Sequence, residues 1–329
     1  QLAARGYNVK EHRAENCMTV SKGGKVNEFY FFGGKDESSQ DLIQGITLAG
    51  AFFDEAALMP QSFVNQATAR CSVTGSKFWF NCNPGSPQHW FYLEWVRKCR
   101  SRKMMYLHFT MDDNLSLSED IKARYRSQYS GVFYQRYILG LWTVAEGLVY
   151  DMFERKKHVV DELPQLSPKS AYVTCDFGTQ NATVFLLFQK QADADCWIVT
   201  REYYYSGREQ KRQKTVGEYV ADLKAWLNGL KPERIIVDPS ALPLITELRK
   251  NGFTQTPANN DVLSGILDVQ TMLQTGRLKI YKDCKHTLEE FGVYAWDPDK
   301  DDTVLKVNDH CMDAIRYFVR TKRLVKLRD

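Results

Sequence analysis

Short apolar runs alternate with amphipathic segments through the first half of the chain. The runs predicted as strands are 29–32, 46–53, 77–81 and 104–109, and the helical segments are 61–70 and 90–95. A further helix is expected after Ser118, because Glu119 and Asp120 in its first turn favour the helix dipole. Such alternation is typical of a mostly parallel sheet with helices on both faces.

The second half has a different order of elements. Three β-rich segments come first, with short polar connections such as 178–181 that predict antiparallel hairpins. The predicted strands are 171–177, 182–189, 196–205, 234–238 and 278–281, and the predicted helices are 215–230, 242–250, 262–274, 284–294 and 308–323. Three antiparallel strands, a crossover helix and a parallel strand are the order of an RNase H-like fold. Segment 154–170 lacks periodicity and is interpreted as a linker between domains 1–153 and 171–329.

Composition agrees with two globular domains. The 329 residues are 43% hydrophobic and 26% charged, which excludes a fibre or a disordered tail protein. No uncharged apolar run approaches the roughly 18 residues of a membrane span, so a soluble protein is expected. The eight cysteines form no Cys-x-x-Cys motif, which favours reduced core residues of an intracellular protein.

The charge is uneven. The net charge is +4, and the last ten residues, 320–329, carry five basic groups and one acid. Two further basic clusters lie at 97–103 and 208–214. Such clusters attract polyanions such as nucleic acid, although solvated faces of surface helices give the same pattern.

Two acids follow the apolar strand of the first half. Asp54 can hold a magnesium ion and Glu55 can orient and deprotonate a water, as in phosphate-hydrolysing α/β domains. The alternative is a strand that runs into a solvated turn. The chain contains no Gly-x-x-x-x-Gly-Lys-[Ser/Thr] motif. A nucleotide site built from this chain alone therefore lacks the loop that binds the phosphates.

The next strand ends in Asn81-Cys82-Asn83-Pro84-Gly85. The amide of Asn83 can hydrogen-bond a γ-phosphate or its attacking water. A Pro-Gly turn in front of aromatic packing explains the same residues.

Three acids of the second half are predicted to meet at one edge of a sheet. Asp176 ends the first strand, Asp238 ends the parallel fourth strand, and the final helix adds His310 and Asp313. Carboxylates suit Mg²⁺ or Mn²⁺, and two such ions roughly 4 Å apart bind both reacting oxygens of a phosphodiester. Each acid alone could be a turn residue or a helix cap. Asp309 is expected at the helix N-terminus, where it favours the dipole, rather than as a ligand.

Six motifs occur in an order that resembles the large subunit of tailed-phage terminases. They are Phe-Phe-Asp54-Glu55-Ala, Asn-Cys-Asn83-Pro84-Gly-x-x-x-His89-Trp90, Asp112-Asp113-Asn114-x-x-Leu117, Gly140-x-Trp142-x-x-x-Glu146-Gly147, Val237-Asp238-Pro239-Ser240-Ala241 and Asp309-His310-x-x-Asp313-Ala314-x-Arg316-Tyr317. Each motif is weak, but the ordered set is specific.

The resemblance implies an α/β protein in which a partial P-loop (ASCE-type) ATPase domain precedes an RNase H-like nuclease domain. By motif, Asp54 is implied as the magnesium acid, Glu55 as the catalytic acid of ATP hydrolysis, and Asn83 as part of the coupling motif. Asp176, Asp238 and Asp313 are implied as nuclease metal ligands, with His310 as an auxiliary ligand or orienting group. The implied cofactors are Mg²⁺ or Mn²⁺, with ATP in the full-length protein.

The implied task is to cut concatemeric phage DNA and pump it into a procapsid in the host cytoplasm. Its partners would be double-stranded DNA, the small terminase subunit, the portal protein and further copies of the chain. Because the family's phosphate-binding loop would precede Gln1, an N-terminally incomplete chain is expected. Two alternatives remain: another RNase H-like nuclease of resolvase or transposase type, and a non-catalytic prophage remnant that binds DNA or a capsid partner.

Overall fold

The computed structural model describes residues 1–178 and 181–325. Residues 179–180 of the expected connection 178–181 and the end of the basic tail, 326–329, therefore lie outside the described residues. The chain forms two compact units: Gln1–Pro84 with Gln88–Tyr106, and Gly85–Pro87 with Leu107–Asp329.

The first unit contains two separate small sheets. Its elements are β1 (Asn8–His12), β2 (Cys17–Lys22), β3 (Lys25–Tyr30), β4 (Gly50–Phe53), α1 (Gln61–Arg70), β5 (Lys77–Phe80) and one π-helical turn at Tyr92–Val96. Strands β1, β2 and β3 form an antiparallel sheet, whereas β4 and β5 form a parallel pair. The mostly parallel sheet expected for this half is therefore limited to two strands.

A glycine pair explains the unexpected hairpin. Gly23 and Gly24, between β2 and β3, have φ of 56° and 77°. Both values lie in the left-handed region that a two-residue hairpin turn requires, and glycine adopts it without steric cost. The Gly-Gly pair before Lys25 is thus a turn signal.

The expected strand at 104–109 is wrong. Among the described residues no strand pairs with this segment, and Met105, Leu107 and Phe109 are exposed. Apolar periodicity does not report whether a neighbouring strand is present, so it misassigns this segment.

The second unit is built on a seven-stranded sheet of order β11-β10-β7-β8-β9-β12-β6. Its helices are α2 (Glu119–Gln128), α3 (Gly131–Tyr137), α4 (Arg155–His158), α5 (Val216–Leu227), α6 (Leu242–Lys250), α7 (Val262–Gln274), α8 (Lys285–Phe291) and α9 (His310–Thr321). Its strands are β6 (Val159–Val160), β7 (Leu166–Asp176), β8 (Ala182–Gln191), β9 (Trp197–Ser206), β10 (Arg234–Val237), β11 (Gln255–Pro257) and β12 (Leu278–Tyr281).

The RNase H-like strand order is confirmed. Strands β7, β8 and β9 are antiparallel, and β10 lies parallel to β7. Alternate residues of β7 enter two cores: Tyr172 packs in the cluster that contains α7 and α9, and Val173 packs in the cluster that contains α5 and α6. Both sheet faces are therefore covered by helices.

The compact units divide the chain earlier than the expected linker. Residues 107–153 belong to the second unit because Phe133, Val149 and Tyr150 are buried in the α7–α9 core, and Gln270 donates to the Val149 carbonyl at 2.7 Å. The segment 154–170 contains α4, β6 and the start of β7, so much of it is regular structure.

Candidate functional site

Two parallel strands bring the first two acids to one edge of the sheet. Asp176 is the last residue of β7, and Asp238 directly follows β10. The register pairs Val237 with Cys175, so the residues that follow them, Asp238 and Asp176, lie side by side at the ends of the two strands. The predicted pairing of these acids at one sheet edge is thus present.

Helix α9 adds the third acid and the histidine. The helix begins at His310, whose Nδ1 lies 2.8 Å from Asp176 Oδ2, and Asp313 lies in its first turn. The opposite face is buried in the core through Cys311, Ile315 and other apolar side chains. Burial of that stripe fixes which face of α9 the acids occupy.

Asp176 and His310 change each other's pKa values. Burial raises the pKa of Asp176, and the neighbouring Asp313 and Asp309 carboxylates add to this rise. Burial acts to lower the pKa of His310, but the hydrogen bond and charge of Asp176 outweigh it and raise that pKa. The hydrogen-bonded pair with Asp176 therefore favours the positively charged form of His310.

Asp238 accepts three hydrogen bonds. The Ser240 amide donates to Oδ1 at 2.7 Å, while Asn260 Nδ2 and the Tyr317 hydroxyl donate to Oδ2 at 2.9 and 3.1 Å. Burial opposes ionisation, but these donors prevail and lower the pKa of Asp238. The side chain is held as an ionised acceptor.

Two cations hold Asp313. Arg316 lies 2.9 Å from Oδ1, and Lys306 Nζ lies 3.1 Å from Oδ2. Lys306 also pairs with Asp309 at 2.9 Å. Asp309 stands at the N-cap position of α9, as expected, but its side chain forms no cap hydrogen bond and pairs with Lys306 instead.

A buried glutamate that sequence reasoning missed positions this helix. Glu290 Oε2 accepts the amides of Cys311 and Met312 at 2.7 and 3.1 Å, which satisfies two free N–H groups of the first turn of α9. Burial raises the pKa of Glu290 to about 8. No local spacing links Glu290 to α9, because the two segments meet only in the folded chain.

The side chains match a hard divalent cation in donor type but do not surround one. Burial, followed by the charges of Asp176, Asp313 and Asp238, raises the pKa of Tyr317, whose hydroxyl donates to Asp238. Within residues 1–178 and 181–325, however, no group of three or more His, Cys, Asp or Glu side chains is spaced to hold a metal ion. Protein groups contact Asp176 Oδ2 and both carboxylate oxygens of Asp238 and Asp313.

The first unit has its own polar cluster, where β4 and β5 end. Asn81 connects both acids: its Nδ2 donates to Asp54 Oδ1 at 2.8 Å, and its Oδ1 accepts the Glu55 amide at 2.7 Å. Glu55 has φ of 55°, a left-handed turn that directs this amide to Asn81. Asn83 Nδ2 lies 3.4 Å from Glu55 Oε1, so the predicted Asp54, Glu55 and Asn83 are brought together.

Sequence reasoning gave Asn81 no role of its own. Its signal was present in the sequence, since an amide that ends one parallel strand faces the acids that end its neighbour.

Among the described residues, none of the helices has the length and apolar character that a membrane span requires.

Family models match both halves. One described as "Terminase large subunit, T4likevirus-type, N-terminal" matches residues 7–157, and one described as "Terminase RNaseH-like domain" matches residues 179–322.

Among curated proteins, the chain is 26% identical over 228 residues to the terminase large subunit of Escherichia phage T5, covering 65% of this chain and 50% of that protein. It is 22% identical over 306 residues to that of Salmonella phage P22, covering 86% and 57%. The chain thus spans about half the length of these curated relatives.

A solved structure is more similar. The large terminase of a thermophilic bacteriophage is 52% identical with a TM-score of 0.90, covering 97% of this chain and 80% of that one. The same protein in complex with ADP gives 51% identity and a TM-score of 0.87, covering 97% and 80%. These matches favour a terminase over the alternatives of a resolvase or a transposase. The chain belongs to the family of phage terminase large subunits.

Proposed function

We propose that the second unit is a Mg²⁺- or Mn²⁺-dependent endonuclease that cuts concatemeric phage DNA. The observation that carries this proposal is the sheet edge where Asp176 and Asp238 end parallel neighbouring strands and α9 adds His310 and Asp313. The membership of the chain in the terminase family supports DNA as the substrate.

Asp176, Asp238 and Asp313 are the proposed metal ligands, with His310 as an auxiliary ligand or orienting group. When bound, divalent ions supply an activated water and stabilise charge on the phosphodiester. The protein prepares its own side of the site: His310 orients the Asp176 carboxylate, and Tyr317 fixes Asp238. Exchange of the Lys306 contact for the metal would free one oxygen of Asp313.

The test is Mn²⁺-dependent nicking of supercoiled plasmid by the purified chain. Asp238→Ala is expected to abolish nicking, whereas Asp193→Ala, which removes an exposed acid between β8 and β9, is expected to leave it unchanged. Thermal unfolding of both variants shows whether the fold is kept. Unchanged nicking in a folded Asp238→Ala variant would refute the site assignment.

We infer that the polar cluster of the first unit is the part of an ATPase site that binds the metal ion and the attacking water. Asp54 would hold Mg²⁺, Glu55 would orient the attacking water, and Asn83 would couple hydrolysis to movement. The hydrogen bonds of Asn81 to both acids support this assignment. Structures of the related thermophilic-phage terminase with ADP and with ATP-γ-S support nucleotide as the ligand.

Glu55→Gln tests this second site. Made in the full-length protein, the substitution keeps the size of the side chain and removes the base, so ATP hydrolysis is expected to fall about 100-fold or more relative to the parent protein. Glu15→Gln, an exposed change in the same unit, serves as the matched control. Equal hydrolysis by both variants would exclude Glu55 as the base.

The wider setting follows from the family. We propose that the protein works in the host cytoplasm on double-stranded DNA, together with the small terminase subunit, the portal protein and further copies of itself. We also propose that residues 1–153 serve the motor and 171–329 serve the nuclease. The two family models, which end at 157 and begin at 179, support this functional division.

A further inference from the structure

The second unit contains a cavity of about 700 Å³ that the nuclease site does not use. It lies between α2, the end of β8, the starts of β9 and β12, and the chain that follows α9. Asp176 is paired with Val184, and the cavity residue Lys190 lies six residues further along β8. At roughly 3.3 Å per strand residue, the cavity is about 20 Å from the catalytic edge.

Basic side chains dominate the cavity. It is lined by five basic side chains but only two acidic ones. The basic residues are Arg124, Lys190, Arg277, Lys322 and Arg323. They come from four separate segments of the chain, so the folded unit gathers the positive charge at one place.

The two acids are already paired. Asp195 lies 3.1 Å from Lys190 and 2.7 Å from Arg277, and Asp268 lies 3.0 Å from Arg320. In the part of the chain that the structure describes, no carboxylate pairs with Arg124, Lys322 or Arg323. Those three charges are therefore available to an external anion.

Aromatic groups hold two of these three cations close to the cavity wall. The Lys322 ammonium lies 4.1 Å above the Tyr172 ring and donates to its hydroxyl at 2.7 Å. The Arg124 guanidinium lies 5.4 Å from the centre of the Tyr125 ring, which also lines the cavity. Cation–π contacts keep a positive charge in place without neutralising it.

We propose that this cavity binds phosphate groups, as a second anion site separate from both the nuclease edge and the nucleotide cluster. Arginine and lysine are the side chains that bind phosphate oxygens in proteins, arginine through two parallel hydrogen bonds. The phosphates come either from a DNA backbone or from a free nucleotide.

The experiment compares two double variants of the whole chain. Arg124→Ala with Arg323→Ala removes two exposed cavity cations, and Lys231→Ala with Lys250→Ala removes two exposed cations that do not line it. Binding is measured with EDTA present for three probes: a fluorescein-labelled duplex of about two helical turns, ATP and inorganic phosphate.

For the duplex, the cavity variant is expected to bind about tenfold more weakly at low salt. The slope of log K against log salt should decrease by about 2, close to 0.9 for each lost phosphate contact. A selective loss of duplex binding identifies DNA as the source, and a selective loss of ATP and phosphate binding identifies a free nucleotide.

Equal affinities of the two variants for all three probes, or no binding by the parent protein, would overturn the proposal. The result is independent of the nuclease assignment. Because the cavity variants keep Asp176, Asp238 and Asp313, their Mn²⁺-dependent nicking of plasmid reports that site separately.

Discussion

Glu290 shows how a single buried residue supports the candidate nuclease site without belonging to it. Its carboxylate caps the first turn of α9, while its other oxygen, Oε1, is buried without a hydrogen-bond partner among the described residues. Burial raises its pKa from 4.5 to about 8 although the α9 amides and His310 act in the opposite direction. The fold therefore binds a proton here that the unfolded chain releases.

This residue is expected to make stability fall as the pH rises. Between about pH 4.5 and 8 the unfolded chain has lost the Glu290 proton and the folded chain retains it, so unfolding becomes easier across this window. Glu290→Gln should remove at least about 1 kcal/mol of the difference in unfolding free energy between pH 5 and pH 8. Urea denaturation at the two pH values measures it.

The neighbouring Glu289 provides the control. Its side chain is exposed to solvent, so Glu289→Gln should keep the pH dependence of the parent protein. If Glu290→Gln and the parent protein lose the same stability between pH 5 and pH 8, Glu290 is not the buried proton site.

At the scale of elements, the close approach of α7 and α9 sets the position of Asp313. A Cβ atom on Gly265 of α7 would lie 2.4 Å from Arg316 Cγ and 2.8 Å from Cδ. Arg316 is buried, and it holds Asp313 at 2.9 Å. Only glycine leaves room for this arginine between the helices.

Gly265→Ala should therefore destabilise the protein by about 1–3 kcal/mol, the usual cost of overpacking a core. Nicking should also decrease, because the displaced arginine no longer fixes Asp313. Gly217→Ala in α5 is the matched control, since no described atom lies within 4 Å of its added Cβ. That variant should be as stable as the parent protein or gain up to about 1 kcal/mol. Equal stability of the two variants would show that the α7–α9 contact tolerates a side chain.

Elements with strong local signals were predictable from the sequence. Helix α7 lies at 262–274 as expected, and the order of the elements predicted that β8 pairs antiparallel with β7 and that β10 lies parallel to β7. The features that the structure places differently depend on partners distant in sequence. The apolar run at 104–109 has no neighbouring strand among the described residues, and the chain before the expected linker joins the second unit because its aromatic side chains pack against α7 and α9.

The candidate site was predictable to the same degree. Asp176, Asp238 and Asp313 stand out because strand ends and helix periodicity place them, whereas Lys306, Asn260 and Glu290 reach the site from loops and from another helix. Nothing in local spacing reports such contacts. The sequence thus reveals the three proposed ligands and His310, and it hides the groups that contact them from distant segments.

At the scale of the whole molecule, two compact units each carry one polar cluster at the end of a parallel strand pair. In the first unit Asn81 connects Asp54 and Glu55, and in the second His310 and Tyr317 hold Asp176 and Asp238. Because parallel strands end at the same edge, this arrangement gathers polar side chains from distant parts of the chain. We propose nucleotide chemistry for the first cluster and DNA cleavage for the second.

The most direct measurement is the anomalous scattering of Mn²⁺ in a crystal of the whole chain grown or soaked with manganese. We expect anomalous density between the Asp176, Asp238 and Asp313 carboxylates, with Lys306 displaced from Asp313. The same experiment on Asp238→Ala should show weakened or absent density. Manganese bound elsewhere in the second unit, with Lys306 still on Asp313 and with Asn260 and Tyr317 still on Asp238, would show that these carboxylates are not the metal ligands.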